Sequence, residues 1–117
     1  MKDFRKLKVW EKAHLLTLKI YKITEQFPRE ELYGLTSQIR RACVSIPTNI
    51  SEGCVRSSDA DFSRFLYIAL GSTSEVEYLI LLSNDLKIIK NEMHIELNNE
   101  INEIKKMLIS MIQKLKA

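Results

Sequence analysis

The stretch that most restricts what this chain can become is "QIRRACVSIPTNISEGC", residues 38–54. Around and through it, Leu35, Ile39, Ala42, Ile46, Asn49 and Gly53 recur at spacings of 4, 3, 4, 3 and 4. That is the seam of a helix packed along one face, and it passes straight through Pro47. A proline inside a helix removes the amide that would donate to the carbonyl four residues back, here Cys43, and crowds that carbonyl, at a cost of roughly 3 kcal/mol. An uninterrupted period predicts one helix over 33–55, kinked at Pro47, rather than two helices. The Ser45 and Ser51 hydroxyls, or packing from neighbouring elements, are expected to offset the cost. Gly53 either admits another backbone or begins to close the helix.

Three further seams complete the pattern. Val9, Ala13, Leu16, Ile20, Ile23 and Phe27 predict a helix over 8–26 that stops ahead of Pro28, because the residue before a proline is steered away from helical geometry. Ser58 followed by Asp61 resembles a capping box and opens a helix to about 89, with Phe62, Phe65, Ala69, Ser72, Val76, Leu79, Ser83 and Leu86 as its seam. Asn91 is placed as the cap of a last helix to about 115, along Leu97, Ile101, Ile104, Leu108, Met111 and Leu115. Connections of a few residues join antiparallel neighbours. The expected fold is therefore all-α, an antiparallel up-down-up-down four-helix bundle filling residues 1–117 as a single domain. The third helix is apolar well beyond its seam, at Leu66, Ile68, Leu70, Ile80 and Leu81. That is more apolar surface than three neighbours can cover, and it predicts self-association.

Composition narrows the alternatives. Three glycines and two prolines are too few for the turns of a sandwich or barrel. The opening "MKDFRKLKVWEK" has no apolar core of a signal peptide, and no uninterrupted apolar run approaches the roughly 18 residues of a membrane span. A cytoplasmic protein without a membrane partner is expected. Cys43 and Cys54 lie about 16 Å apart along one helix, too far to bridge, and are expected to be reduced packing residues.

Little in the sequence points to catalysis or cofactors. A di-iron bundle needs Glu-x-x-His on two helices, and only Glu11 with His14 has that spacing. No glycine-rich phosphate loop is present, and Asn49-Ile50-Ser51 matches a glycosylation acceptor only by coincidence. No cofactor, metal or small-molecule substrate is expected, and the chain reads as a non-enzyme. Ser45, Asn49 and Glu52 share one side of the second helix, and Ser72 and Glu75 make a similar patch on the third. Together they read as a buried, hydrogen-bonded polar layer that fixes register between helices, with a binding pocket or plain surface exposure as the alternatives. Arg40 and Arg41 cannot face the same way; one is placed against a carboxylate such as Glu75 or Glu77, the other toward solvent or a phosphate.

Net charge is only +3, but residues 1–29 hold eight Lys/Arg against three Asp/Glu. Lys6, Lys8, Lys12 and Lys19, with Arg40 and Arg41, are the candidate contacts for a nucleic acid, RNA above all. Trp10 beside them is a candidate for stacking on a base, with core packing as its plainer role.

At residues 38–53 the sequence resembles the 23S rRNA intervening-sequence proteins, whose pattern there is approximately Q-[LI]-R-R-A-x-x-S-I-[PV]-x-N-I-A-E-G. Gln38, Arg40, Arg41, Ala42, Ser45, Ile46, Pro47, Asn49, Ile50, Glu52 and Gly53 match, and Ser51 replaces the usual alanine. Phe4, Leu7, Val9 and Trp10 match the family's opening, and Gly71, Ser72, Glu75, Val76 and Glu77 its "G-S-x-x-E-[LV]-E". The resemblance implies an antiparallel four-helix bundle assembled as a homopentamer, of largely unassigned biochemical role. A distantly related bundle serves diversity-generating retroelements, binding a reverse transcriptase and nucleic acid. The expected function is thus a homo-oligomeric helical bundle that binds RNA or a nucleoprotein; the alternative is a protein-interaction module whose basic first helix is merely solvated.

Overall fold

The structure is a computed structural model that describes residues 2–116. Four helices and no strand are found among them: α1 (Lys8–Thr24), α2 (Ser37–Cys54), α3 (Asp59–Asp85) and α4 (Asn91–Lys116). A 3-10 turn, Phe4–Lys6, leads into α1 and is held by the Asp3 carboxylate, which accepts the Arg5 amide at 3.1 Å. Between α1 and α2 lie a 3-10 turn (Arg29–Glu31) and a π turn (Leu32–Thr36) in which Gly34 leaves helical geometry. α2 therefore starts four residues later than its seam suggested, and the Glu31 side chain satisfies the Leu35 amide in the connection.

Cross-helix contacts give the direction of each neighbour. Thr17 approaches Cys43, and Arg40 approaches Thr24. Ser45 meets Ser72, while Gly53 meets Phe62 and Phe65. Glu77 pairs with Lys105, and Lys116 lies over Tyr67. Lys12 pairs with Glu103 and Lys19 with Glu96 and Glu100, which runs α4 back alongside α1. Each helix runs against its neighbours, and α1 stands diagonally across the bundle from α3.

The buried faces follow the seams at first and then depart from them. On α3, Phe62, Phe65, Ala69, Val76, Leu79 and Ser83 are buried as expected, but Leu66 and Ile80, placed outside the seam, and Thr73 also turn inward, while Ser72 is only half-buried and Leu86 is exposed. An ideal helix drifts about 20° per heptad against a strict seven-residue repeat, so a 4-3 seam drawn over eight positions slips off the buried side. The same drift makes Ile112 the last buried residue of α4. Hydroxyls inside the core cause no deficit. Thr17, Thr24, Thr73 and Ser83 each donate to the carbonyl four residues earlier, at 2.7–2.8 Å.

Pro47 lies inside one continuous helix. The Cys43 carbonyl, which Pro47 deprives of its usual donor, is met from α1: Thr17 Oγ1 lies 3.4 Å from it while donating principally to Ala13 O. The compensation thus includes a residue of another helix. Ser51 donates to Thr48 O instead. Thr17→Val should cost about 1–2 kcal/mol, read by urea denaturation. Part of that loss should vanish in a Pro47→Ala background, where an amide again reaches the Cys43 carbonyl. The neighbouring Cys43 thiol is pushed up to about 11 by burial, against a smaller opposing effect of the Thr17 hydrogen bond. It is an inert packing group at neutral pH.

At Gly53 an added Cβ would sit 2.9 Å from the Phe62 ring and 3.0 Å from the Phe65 Cβ, so this glycine admits the close approach of α2 to α3. Ser58 Oγ accepts the Asp61 amide at 3.1 Å as the N-cap of α3. The Asp61 carboxylate turns to Arg64 and Arg56 rather than back to the cap. Asn91 is the first residue of α4 and not its cap; the His94 amide bonds to the Lys90 carbonyl.

α3 ends in a Schellman arrangement, with the Ile88 amide on the Ser83 carbonyl at 2.9 Å and Lys87 at φ 62° in the left-handed region. Glycine usually occupies that position, and its absence hides the helix end in the sequence. Lys87→Gly should raise stability by roughly 0.5–1 kcal/mol, because it relieves a side chain in left-handed geometry; thermal melting of the variant checks it.

Candidate nucleic-acid interface

The antiparallel order brings the start of α1 beside the end of α4. Lys6, Lys8, Lys106 and Lys114 are exposed there, and none has a carboxylate within 4.0 Å among the described residues. Lys8, Lys106 and Lys114 rim one apolar groove floored by Leu7, Val9, Met107 and Met111. Four more cations at this end rest on aromatic faces: Lys2 over Phe62, Arg5 over Phe4, and Arg56 and Arg64 over Phe65, at 4.4–4.7 Å from the ring centroids. The basic character is thus a property of one end of the bundle rather than of α1 along its length.

Lys12 and Lys19 do not belong to it. Lys12 Nζ lies 2.7 Å from Glu103, whose hydrogen bond and charge hold that ammonium's pKa above its ordinary value. Lys19 Nζ sits 2.6 Å from Glu100 and 3.1 Å from Glu96. Burial alone would lower its pKa, but the two carboxylates outweigh burial and raise it. Both lysines are engaged in tying α1 to α4. Lys106 and Lys114 lie outside the N-terminal segment in which the basic residues cluster along the chain. The late lysines of α4, folded back by the antiparallel order, were the available signal.

The adjacent arginines part company. Arg40 is half-buried; its Nε donates to Thr24 Oγ1 at 2.8 Å, a second nitrogen donates to Tyr21 O at 3.3 Å, and the guanidinium lies over the Tyr21 ring. It anchors α2 to the end of α1 and reaches neither Glu75 nor Glu77. Glu77 pairs with Lys105 instead. Arg41 is exposed and forms no ion pair among the described residues. Trp10 is half-buried, 4.8 Å from Phe4 and stacked on His14 with ring planes 8° apart, so its faces are engaged within the chain.

The expected polar layer is only partly inside. Ser45, Asn49 and Ser72 are half-buried and linked: Asn49 Nδ2 donates to Ser45 O and Oγ at 2.8 and 2.9 Å, and Ser72 Oγ donates to Ser45 Oγ at 2.8 Å. Glu52 and Glu75 are exposed and stand outside that set. The physical reason is the rotation of each helix. Where Phe62 and Phe65 fill the α2–α3 contact near Gly53, a carboxylate at 52 turns to solvent. The three-residue link lies along an open groove between α2 and α3 rather than across a sealed core.

Residues 5–110 match the family model described as 23S rRNA-intervening sequence protein. A crystal structure of a protein of unknown function from the S23 ribosomal protein family of Bacteroides thetaiotaomicron superposes with a TM-score of 0.84 at 33% identity, covering 90% of this chain and 95% of that one. No curated protein matches the sequence.

Proposed function

Because this chain belongs to the 23S rRNA-intervening sequence protein family, we propose that it is a non-enzymatic, cytoplasmic homo-oligomer that binds RNA at the basic end of its bundle. The observation that carries the RNA reading is the group of Lys6, Lys8, Lys106 and Lys114, exposed at one end without carboxylate partners among the described residues. Uncompensated, clustered cations release counterions when a polyanion binds. Repetition around an assembly multiplies the effect: five copies of a +3 chain carry +15.

Two exposed apolar strips support self-association. One, on α1, holds Leu15, Leu18 and Tyr21; the other, on α3, holds Tyr67, Ile68, Tyr78 and Leu81. α3 is also the one helix among the described residues long and apolar enough to cross a membrane by length and composition. Its inner face is spent on the bundle core, and its outer strip is what a second copy would cover. Since α1 and α3 are diagonal, the strips face opposite ways. Different surfaces on two sides make head-to-tail contacts, which close into a ring only where the rotation between copies closes; the five-fold assembly that the family resemblance implies requires such a rotation.

The RNA reading is tested by measuring binding of single-stranded and structured RNA at low and moderate salt. Affinity should fall steeply as salt rises. The ion pairs of Lys12 and Lys19 favour a second reading, an interaction module with a solvated basic face; weak binding that ignores salt would select it.

A further inference from the structure

The groove between α2 and α3 has no place in the function just given, although both stretches that carry the family resemblance converge on it. It encloses about 500 Å³ and is lined by Tyr33, Gln38, Arg41, Ser45, Ser72 and Glu75 among others, within the size range of small-ligand sites. It lies away from the basic end, beside the π turn that precedes α2. We propose that this groove binds a nucleoside 5′-monophosphate unit, free or within a strand, with the phosphate on Arg41 and the base against Tyr33. The proposal rests on the RNA reading only for the source of the nucleotide.

The polar groups are arranged for an anion on one wall and hydroxyl or amine donors on the other. Arg41 is exposed, and no carboxylate comes within 4.0 Å of it among the described residues even though Glu75 lines the same groove. An unengaged guanidinium fork is suited to a phosphate's paired oxygens. On the floor, Ser45 Oγ accepts from both Asn49 Nδ2 and Ser72 Oγ. Its lone pairs are then occupied and its own proton remains to be donated. Gln38 adds amide donors on the Arg41 side. Glu75 only accepts; it repels phosphate and takes hydrogen bonds from ribose hydroxyls or a base amine, which sets the ligand's direction.

Tyr33 supplies the remaining surface. It is 93% exposed, held out on the irregular turn at Gly34, and its ring makes no aromatic contact among the described residues. A large aromatic face standing in water at the mouth of a polar groove is suited to stacking on a base, which is tolerant of base identity.

The test uses the full chain, titrated calorimetrically with adenosine 5′-monophosphate, adenosine and inorganic phosphate, and by anisotropy with a labelled adenylate strand of about ten nucleotides. The monophosphate should bind more tightly than adenosine or phosphate alone. Arg41→Ala should weaken the monophosphate by about tenfold or more and leave adenosine unchanged, with partial recovery in Arg41→Lys. Tyr33→Ala should weaken monophosphate and adenosine alike, and Tyr33→Phe should restore both. Both residues are exposed, so these variants keep the fold. Dependence on Arg41 and Tyr33 seen with the strand but not with the free monophosphate assigns the strand as the source. Loss of strand binding on removing Lys6 and Lys8, with monophosphate binding intact, keeps the two sites separate and the groove proposal standing. Affinities for monophosphate and strand that both stay within about twofold of wild type in Arg41→Ala and Tyr33→Ala overturn it, whatever the basic end does.

Discussion

Gly71→Lys should leave a folded monomer of 13.7 kDa where the wild-type chain is expected to assemble, and light scattering coupled to size exclusion will show it. Gly71 sits on the exposed side of α3, in the strip of Tyr67, Ile68, Tyr78 and Leu81. A Cβ built there meets nothing within 4 Å. In an isolated bundle this glycine has no packing purpose, and it costs the helix about 1 kcal/mol relative to alanine. The contrast with Gly53, where Phe62 and Phe65 leave no room for a Cβ, is direct. In the proposed assembly such a glycine would admit the backbone of a second copy, and the surrounding Tyr78 (57% exposed) would supply apolar area to that contact. Lysine at 71 is a good helix former in open space, so secondary structure should survive while the contact is lost. Leu18→Glu, on the opposite strip where Leu15 and Leu18 are 56% and 55% exposed, should have the same effect if the contact is head-to-tail. Mixing the two variants supplies a sharper check. Each retains one intact strip, so a head-to-tail contact allows one heterodimer and no ring. Wild-type protein that elutes as a monomer at micromolar concentration, or a Gly71→Lys assembly of undiminished mass, would refute the assembly.

The four helices are legible in the sequence because each has enough apolar residues at 4-3 spacing to declare its period. Their ends are less so, for separate local reasons. The start of α2 is displaced by a π turn that the Glu31 side chain stabilises, and no periodicity reports on that. The end of α3 is a Schellman turn built on Lys87, without the glycine that would have marked it. Position along a seam also drifts as helices lengthen, so a 4-3 spacing points Ser72 and Leu86 inward and passes over Thr73.

The candidate site was legible one residue at a time and obscure in combination. Lys6 and Lys8 stand exposed as the composition of the N-terminal segment suggests, but the charge of Lys12 and Lys19 is compensated by Glu96, Glu100 and Glu103 from a segment some 80–90 residues away. Those three glutamates share one face of α4 by their 4-3 spacing, a pattern that predicts a cationic neighbour once α4 is folded against α1. The Pro47 question has the same form. Ser45 and Ser51 are hydroxyls of the same helix within one turn or so of Pro47, yet Thr17 of α1 reaches the Cys43 carbonyl. Pairings made across the bundle need the tertiary arrangement, and only the pattern on each partner is written locally.

That through-space pairing gives the nucleic-acid hypothesis its most discriminating experiment. Lys6→Gln with Lys8→Gln and Lys12→Gln with Lys19→Gln each remove two positive charges, so both double variants fall from +3 to a formal +1. A long-range field that reads only total charge would weaken RNA binding equally in the two. Direct phosphate contact at the basic end predicts otherwise. The first pair should lose affinity strongly and show a shallower dependence on salt, by roughly 0.7 in log–log slope for each single-strand phosphate contact removed. The second pair, whose ammonium groups are held by Glu103, Glu100 and Glu96, should keep nearly the wild-type slope and instead lose stability, because α1 and α4 are less firmly joined. Adding Lys106→Gln and Lys114→Gln to the first pair should remove most of the remaining salt dependence. If both doubles shift the slope alike, the lysines act as a diffuse field and the basic end is not a binding surface. If neither shifts it, the cations serve solubility, and the homo-oligomeric interaction module is the reading that survives.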